Sequence, residues 1–360
     1  MAYLNNAATT AVKPETVKNA APATAETAGA KIAKLLGCKG EIIFTNGGKQ
    51  AIGCAIRGLI QPGDHIISTD SEYGAVLDVL DELENEGCKT TYIPVNEYGS
   101  LKYELIEKAI TPETTAIVCS HGSNVTGNIT DMEKVGAIAR RNHLKLIVDG
   151  CQTVGATAIN LDDMQIDAFC FTGHKKLMGP YGIGGICLRK GVTLNEEALA
   201  EIETPDENKL GGLCAAVDFI LEKGIYGISI FPHRLAKSFP SKRFLRHIPP
   251  IRLAKRFFES VSSMKNVTVY GDFGTNTRIP TVSISVKGFT AEEVKNFMRK
   301  NGIAVKSSDF NAPRLMKSLG REGESLVRFS FGYFNTRMEV NDAIWVLMDM
   351  QGLDDLYLLA

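Results

Sequence analysis

Two short stretches hold the side chains with the most chemistry in this chain. IVDGCQ (147–152) ends an apolar run on a carboxylate, and FTGHKKLMGP (171–180) ends another on a threonine, a histidine and two lysines before a Gly-Pro turn. In a parallel sheet, ligands bind beyond the carboxyl ends of the strands. Asp149, Thr172, His174 and Lys175 therefore read as a site and not as core. A lysine held there can form a Schiff base when desolvation or nearby cations lower its pKa. A buried carboxylate can keep a pyridine nitrogen protonated, which makes the ring an electron sink, as in pyridoxal phosphate. The phosphate of such a group needs a cradle. FTNGGKQA (44–51) offers one, with Gly47 and Gly48 between a strand and a helix start. Glycines let backbone approach closely, and a helix N-terminus favours an anion. A Gly-Gly turn alone means little; the two motifs downstream give it meaning.

These residues need elements to position them. EIIFT (41–45), DHIIST (64–69), TTYIPV (90–95), TAIVCS (115–120), LKLIVD (144–149) and DAFCFT (167–172) read as short buried strands. Helical patterns over 49–60, 74–87, 101–110 and 131–142 lie between them. Alternation of this kind predicts an α/β fold with a mostly parallel sheet covered on both faces. A further strand is expected within 182–191 and a helix over 209–224. After that, strands at VTVYG, PTVSISV and VRFSF, with helices near 290–300 and 337–350, predict a smaller α+β C-terminal domain. The boundaries expected are 13–250 for the large domain and 251–360 for the small one, with residues 1–12 packing near the latter.

Composition narrows the class. The chain has 360 residues, 40 basic and 41 acidic, for a net charge of -1, and 44% of residues are apolar. That excludes a disordered or chain-wide polyanion-binding protein. No apolar run is long enough for a membrane helix, and the N-terminus has no signal pattern, so a cytoplasmic location is expected. None of the eight cysteines forms a CxxC pair, which argues against zinc and thioredoxin-like sites; buried free thiols are expected. All eight lie before residue 215. Residues 226–256 carry eight Lys or Arg and no acid, with Pro232, Pro240, Pro249 and Pro250 breaking any long helix. A solvated basic face is the plain reading, and an acidic partner or RNA the sharper one.

The motifs together resemble the cysteine desulfurase and selenocysteine lyase family, class V aminotransferase-like enzymes of fold type I that use pyridoxal phosphate. The resemblance spans almost the whole chain: YLNNAATT at the start, EIIFTNGGKQA, SNVTGNI (123–129), IVDGCQTVG, FTGHKKLMGPYGIGG and VRFSFGYFNT (327–336). It implies that Lys175, directly after His174, is the Schiff-base lysine and Cα base, with Lys176 its rival. It implies Asp149 on the pyridinium nitrogen and Gln152 and Asn124 on the ring hydroxyl. Gly47, Gly48, Lys49, Thr172 and His174 would hold the phosphate; Arg328, with Asn6 and Ala8 nearby, would take the substrate carboxylate. Taken singly, Asn124 also reads as a turn residue and His121 as a surface histidine. The family further implies a small amino-acid substrate and a homodimer with shared sites.

Four departures bear on activity. Tyr73 stands where a histidine commonly stacks on the cofactor; it can stack but cannot relay protons near neutral pH. The region after AVKPETVKNA is short, and the loop that normally reaches the neighbouring subunit's phosphate is missing after GGICLRKG. Lys49, where threonine is common, offers a charge in compensation. In the loop VKSSDFNAPRLMK (305–317), Asn311 occupies the position of the persulfide cysteine and Lys306 that of an arginine. An amide is no sulfur nucleophile. The expected reaction is thus C–S or C–Se cleavage by β-elimination without a protein persulfide. The alternatives are an aminotransferase or lyase acting on another small amino acid, and a catalytically silent homologue serving as scaffold or regulator.

Overall fold

A computed structural model describes residues 1–10, 14–224, 248–275 and 277–352. Its largest sheet has seven strands: β2 (Ile42–Thr45), β3 (His65–Thr69), β4 (Lys89–Ile93), β5 (Thr114–Ser120), β6 (Lys145–Asp149), β7 (Ala168–Thr172) and β8 (Gly184–Leu188). The order is β2-β8-β7-β6-β5-β3-β4. Only β8 runs antiparallel to its neighbours, β2 and β7; the remaining pairs are parallel.

The inner strands are buried because both faces are covered, whereas the edge strand β4, Lys-Thr-Thr-Tyr-Ile, is half exposed. Successive residues point to opposite sides. Ile67, Ile117 and Val148 pack with the helices Ala25–Leu36, Met132–Arg141 and Glu207–Lys223. Their chain neighbours Ile66, Val118 and Ile147 pack with the helices Gly48–Leu59 and Gly74–Asn85. The helix Ala25–Leu36, which the sequence patterns had not singled out, starts on the Thr24 side chain and stops at Gly37 in the left-handed conformation.

A second sheet holds β9 (Val267–Tyr270), β10 (Thr281–Val286), β12 (Lys306–Ser308) and β13 (Leu326–Ser330) in the order β12-β13-β10-β9, all antiparallel. Helices Pro250–Val261, Ala291–Lys300 and Arg337–Met350 bury Phe257, Val294, Met298 and Leu347 against Val282, Ile284 and Phe329. The N-terminal strand β1 (Ala2–Tyr3) pairs with β11 (Ile303–Ala304). Pro250 does not break a helix; it opens one, at the first-turn position where proline needs no N–H partner. Most of the basic stretch, residues 226–247, lies outside the described residues. In the part described, Lys255 sits 3.7 Å from Glu259, and Arg256 donates to Asn341 at 2.7 Å. Among the described residues no helix is long and apolar enough to cross a membrane.

Candidate active site

A cavity of about 830 Å³ opens beyond the carboxyl ends of β5, β6 and β7. Into it the fold brings Asp149 from the end of β6, Thr172 from the end of β7, and His174 and Lys175 from the loop that follows. Gly47, Gly48, Lys49, Tyr73, Asn124, Gln152 and Ala8 also line it, and Asn311 and Arg328 reach it from the second sheet region.

Asn6, expected at the substrate, is not among the lining residues. Its side chain is buried and donates to Ser330 O and Asn335 Oδ1, each at 3.0 Å. That amide ties the N-terminal segment to β13 and has no donor left for a ligand.

One end of the cavity suits an anion. The helix Gly48–Leu59 begins at Gly47 without a side-chain cap and with no acidic residue in its first turn, so its leading N–H groups stay available. Gly47 has φ 150°, and a Cβ there would meet nothing within 4 Å. Gly48 is the opposite case: a Cβ would sit 2.5 Å from Cys151 Sγ. Thr172 Oγ1 and His174 Nδ1 lie 3.0 Å apart on the same side. Lys49 points its ammonium toward Asp78 Oδ2 at 3.4 Å, on the surface, so the expected charge compensation is shared with a carboxylate. Past the helix Glu196–Ala200, Gln50 donates to Glu201 O at 3.0 Å and Asn46 donates to Glu203. The segment that replaces the missing loop thus folds over this end within the same chain.

The middle of the cavity suits a protonated aromatic ring. Asp149 accepts from the Cys151 N–H at 2.9 Å. Gln152 is buried, donates to Ala7 O at 3.1 Å and leaves its Oε1 without a partner. A buried orphan oxygen beside an open cavity is what a bound polar group would satisfy. Lys175 Nζ stands 5.9 Å from the Tyr73 ring centroid. Lys176 is excluded from this cavity: its ammonium is buried and donates to Phe331 O at 3.0 Å. Burial, with Arg328 and Lys175 nearby, pushes it down to about 7. The residues present therefore fit pyridoxal phosphate: an anion cradle, a carboxylate, an unsatisfied buried acceptor and Lys175 in the loop after β7.

Arg328 is buried, donates to Asn124 O at 3.0 Å, and its Nε has no partner. Among the described residues no carboxylate is paired with it. Burial pulls it down to about 10, still fully charged at neutral pH. An unpaired buried guanidinium in a cavity wall is suited to a carboxylate ligand.

Several groups had no clear sequence signal. Glu72 is fully buried, accepts from Ser120 N at 3.1 Å and from Ser120 Oγ at 2.7 Å, and burial pushes its carboxyl up to about 7. Its place before Tyr73 was the one available hint. His121 is not a surface residue; it is buried, with Nδ1 unpartnered, and burial drops it to about 4, so it is neutral. Phe310, in the cavity wall, stacks on Arg328. It had gone unremarked beside Asn311.

A mostly parallel seven-stranded sheet with an uncapped helix N-terminus, a carboxylate and a lysine around a cavity at its strand ends is the arrangement of a pyridoxal phosphate-dependent enzyme of fold type I. The Aminotransferase class-V family model matches residues 2–200 and 247–342, and the chain belongs to that family, on its cysteine desulfurase-like side. A probable mitochondrial cysteine desulfurase of Dictyostelium discoideum is 30% identical over 354 residues, covering 92% of this chain and 74% of the relative. The cysteine desulfurase IscS of Vibrio vulnificus is 28% identical over 352 residues, covering 92% and 84%. Among solved structures, the apo cysteine desulfurase of Thermococcus onnurineus NA1 superposes with a TM-score of 0.83 at 25% identity, covering 97% of this chain and 94% of that one.

Proposed function

We propose that this enzyme cleaves the C–S or C–Se bond of cysteine, cystine or selenocysteine by β-elimination, with no persulfide on a loop cysteine. The observation that carries the reading is the cavity mouth. Asn311 occupies it, with Nδ2 3.3 Å from Tyr73 Oη, and all eight cysteines are buried. Cys151 alone among them lines the cavity, and burial together with Asp149 drives its thiol well above the ordinary range. A thiol held protonated is a poor nucleophile.

Bound at this site, pyridoxal phosphate supplies an electron sink that makes the substrate Cα–H acidic. In this reading Gly47, Gly48, Lys49, Thr172 and His174 hold its phosphate, Asp149 keeps its ring nitrogen protonated, and Gln152 and Asn124 take its hydroxyl. Tyr73 covers the ring face. Arg328, with Ala8 beside it, orients the substrate carboxylate, and Lys175 Nζ removes the Cα proton. Departure of the β-sulfur as sulfide, with water entering later, yields pyruvate and ammonia and needs no oxidant. The family relation supports a small amino-acid substrate and a homodimer; the cytoplasm is the location we infer.

Purified enzyme incubated separately with cysteine, cystine and selenocysteine should release sulfide, persulfide or selenide together with stoichiometric pyruvate. Alanine as the main product would mean sulfur transfer to an acceptor and would overturn elimination. Amino transfer to a keto acid without loss of the β-substituent would assign the chain to aminotransferases. No product from any substrate would point to a silent homologue.

A further inference from the structure

Arg328 is buried yet loosely held. Besides the bond to Asn124 O, Nη2 reaches Asn5 Oδ1 only at a long 3.4 Å, and Nε is unpartnered. The guanidinium lies over the ring of Phe310, whose centroid is 4.6 Å from Arg328 Cζ. Phe310 is itself held from several directions. Its carbonyl accepts from Asn124 Nδ2 at 3.0 Å, and its N–H donates to Ser308 Oγ at 2.9 Å. The next carbonyl, of Asn311, accepts from Gly74 N at 2.6 Å. Phe310 and Asn311 are both left-handed, at φ 58° and 51°; for Phe310 this is a costly conformation that persists only when its surroundings enforce it. The ring is buried among Val125, Leu315 and Leu326.

Asn124, Phe310 and Arg328 therefore form a closed circuit: Asn124 O accepts from the guanidinium, Asn124 Nδ2 donates to the Phe310 carbonyl, and the guanidinium lies over the Phe310 ring. We propose that Phe310 is a positioning residue, which locks Arg328 flat so that its free N–H edge meets a ligand carboxylate. An aromatic face suits this task. It attracts the cation without an acceptor that would compete for its N–H groups. The inference rests on Arg328 as the carboxylate site, not on the identity of the leaving group.

The test is binding to the cofactor-loaded enzyme, read from the cofactor's visible absorption. L-Alanine is the probe, since it carries a carboxylate and no leaving group, and ethylamine is the carboxylate-free control. Phe310→Leu should weaken L-alanine about tenfold, as loss of one desolvated cation–aromatic contact implies. Ethylamine should change by less than about twofold, and Phe310→Tyr should restore L-alanine to within about threefold. Wild-type affinity in Phe310→Leu, or equal loss for both amines, overturns the proposal. If Arg328→Gln binds L-alanine like the wild type, the carboxylate reading itself falls. Equal cofactor absorbance across the variants shows that each has folded.

Discussion

At the scale of single residues, the sharpest contrast is between two adjacent lysines. Lys175 lines the cavity, and Lys176 is turned into the protein against Phe331 O. Lys175→Ala should abolish the borohydride-reducible yellow absorbance and lower turnover by at least about a thousandfold, the scale of a lost nucleophile and base. Lys176 makes a different prediction. Its folded value near 7 lies below the usual 10.5. Between those two values the unfolded chain holds the proton and the folded chain does not. The unfolded state then binds more protons, so stability rises with pH from about 7 toward 10, and the cost is fully present below 7. Lys176→Met removes a buried cation. Its melting temperature should exceed the wild type's at pH 6, and the gap should narrow as pH rises from 7 toward 10. A gap that widens with pH would refute the burial cost.

At the scale of elements, the turn from β2 into the helix Gly48–Leu59 and the loop after β12 do the positioning. Gly48→Ala must push against Cys151 Sγ at 2.5 Å and Thr172 Cβ at 3.3 Å, both on the cradle side. Pyridoxal phosphate affinity, read by absorbance titration of the apoenzyme, should fall at least about tenfold. In the loop, Asn311 tolerates its left-handed backbone because asparagine pays little there. Asn311→Gly should keep wild-type stability, whereas Asn311→Val should cost about 1–2 kcal/mol in urea unfolding. Equal stability of the two variants would show that the loop relaxes freely. The inner strands of the large sheet were legible to within a residue or two because burial on both faces favours apolar residues there; the edge strand β4 is polar and half exposed. The helix Ala25–Leu36 was not legible, since its large apolar side chains, Ile32, Leu35 and Leu36, lie only in its C-terminal half.

At the scale of the whole molecule, the N-terminal segment joins the two sheet regions around the cavity. β1 pairs with β11, Asn6 binds Ser330 and Asn335, and Thr10 Oγ1 donates to Lys175 O at 2.8 Å. Asn6→Ala removes the Nδ2 bonds, although Ser330 O keeps the Asn6 N–H and Asn335 Oδ1 keeps the Gly332 N–H, and should cost about 1 kcal/mol of unfolding free energy, with cofactor absorbance unchanged. A variant of wild-type stability that loses substrate affinity would return Asn6 to the ligand site.

By itself, the order of motifs pointed to the class of cofactor, set Lys175 and Asp149 apart as candidates and showed asparagine, not cysteine, at 311. These are properties of residue type and local spacing, which the chain carries in one dimension. Only the tertiary structure decided that Lys175 lines the cavity while Lys176 does not, that Asn6 bonds Ser330 and Asn335, and that Arg328 lies over Phe310. The reason is physical: those facts depend on contacts between residues far apart in sequence, set by strand order and side-chain direction. No local period records either one.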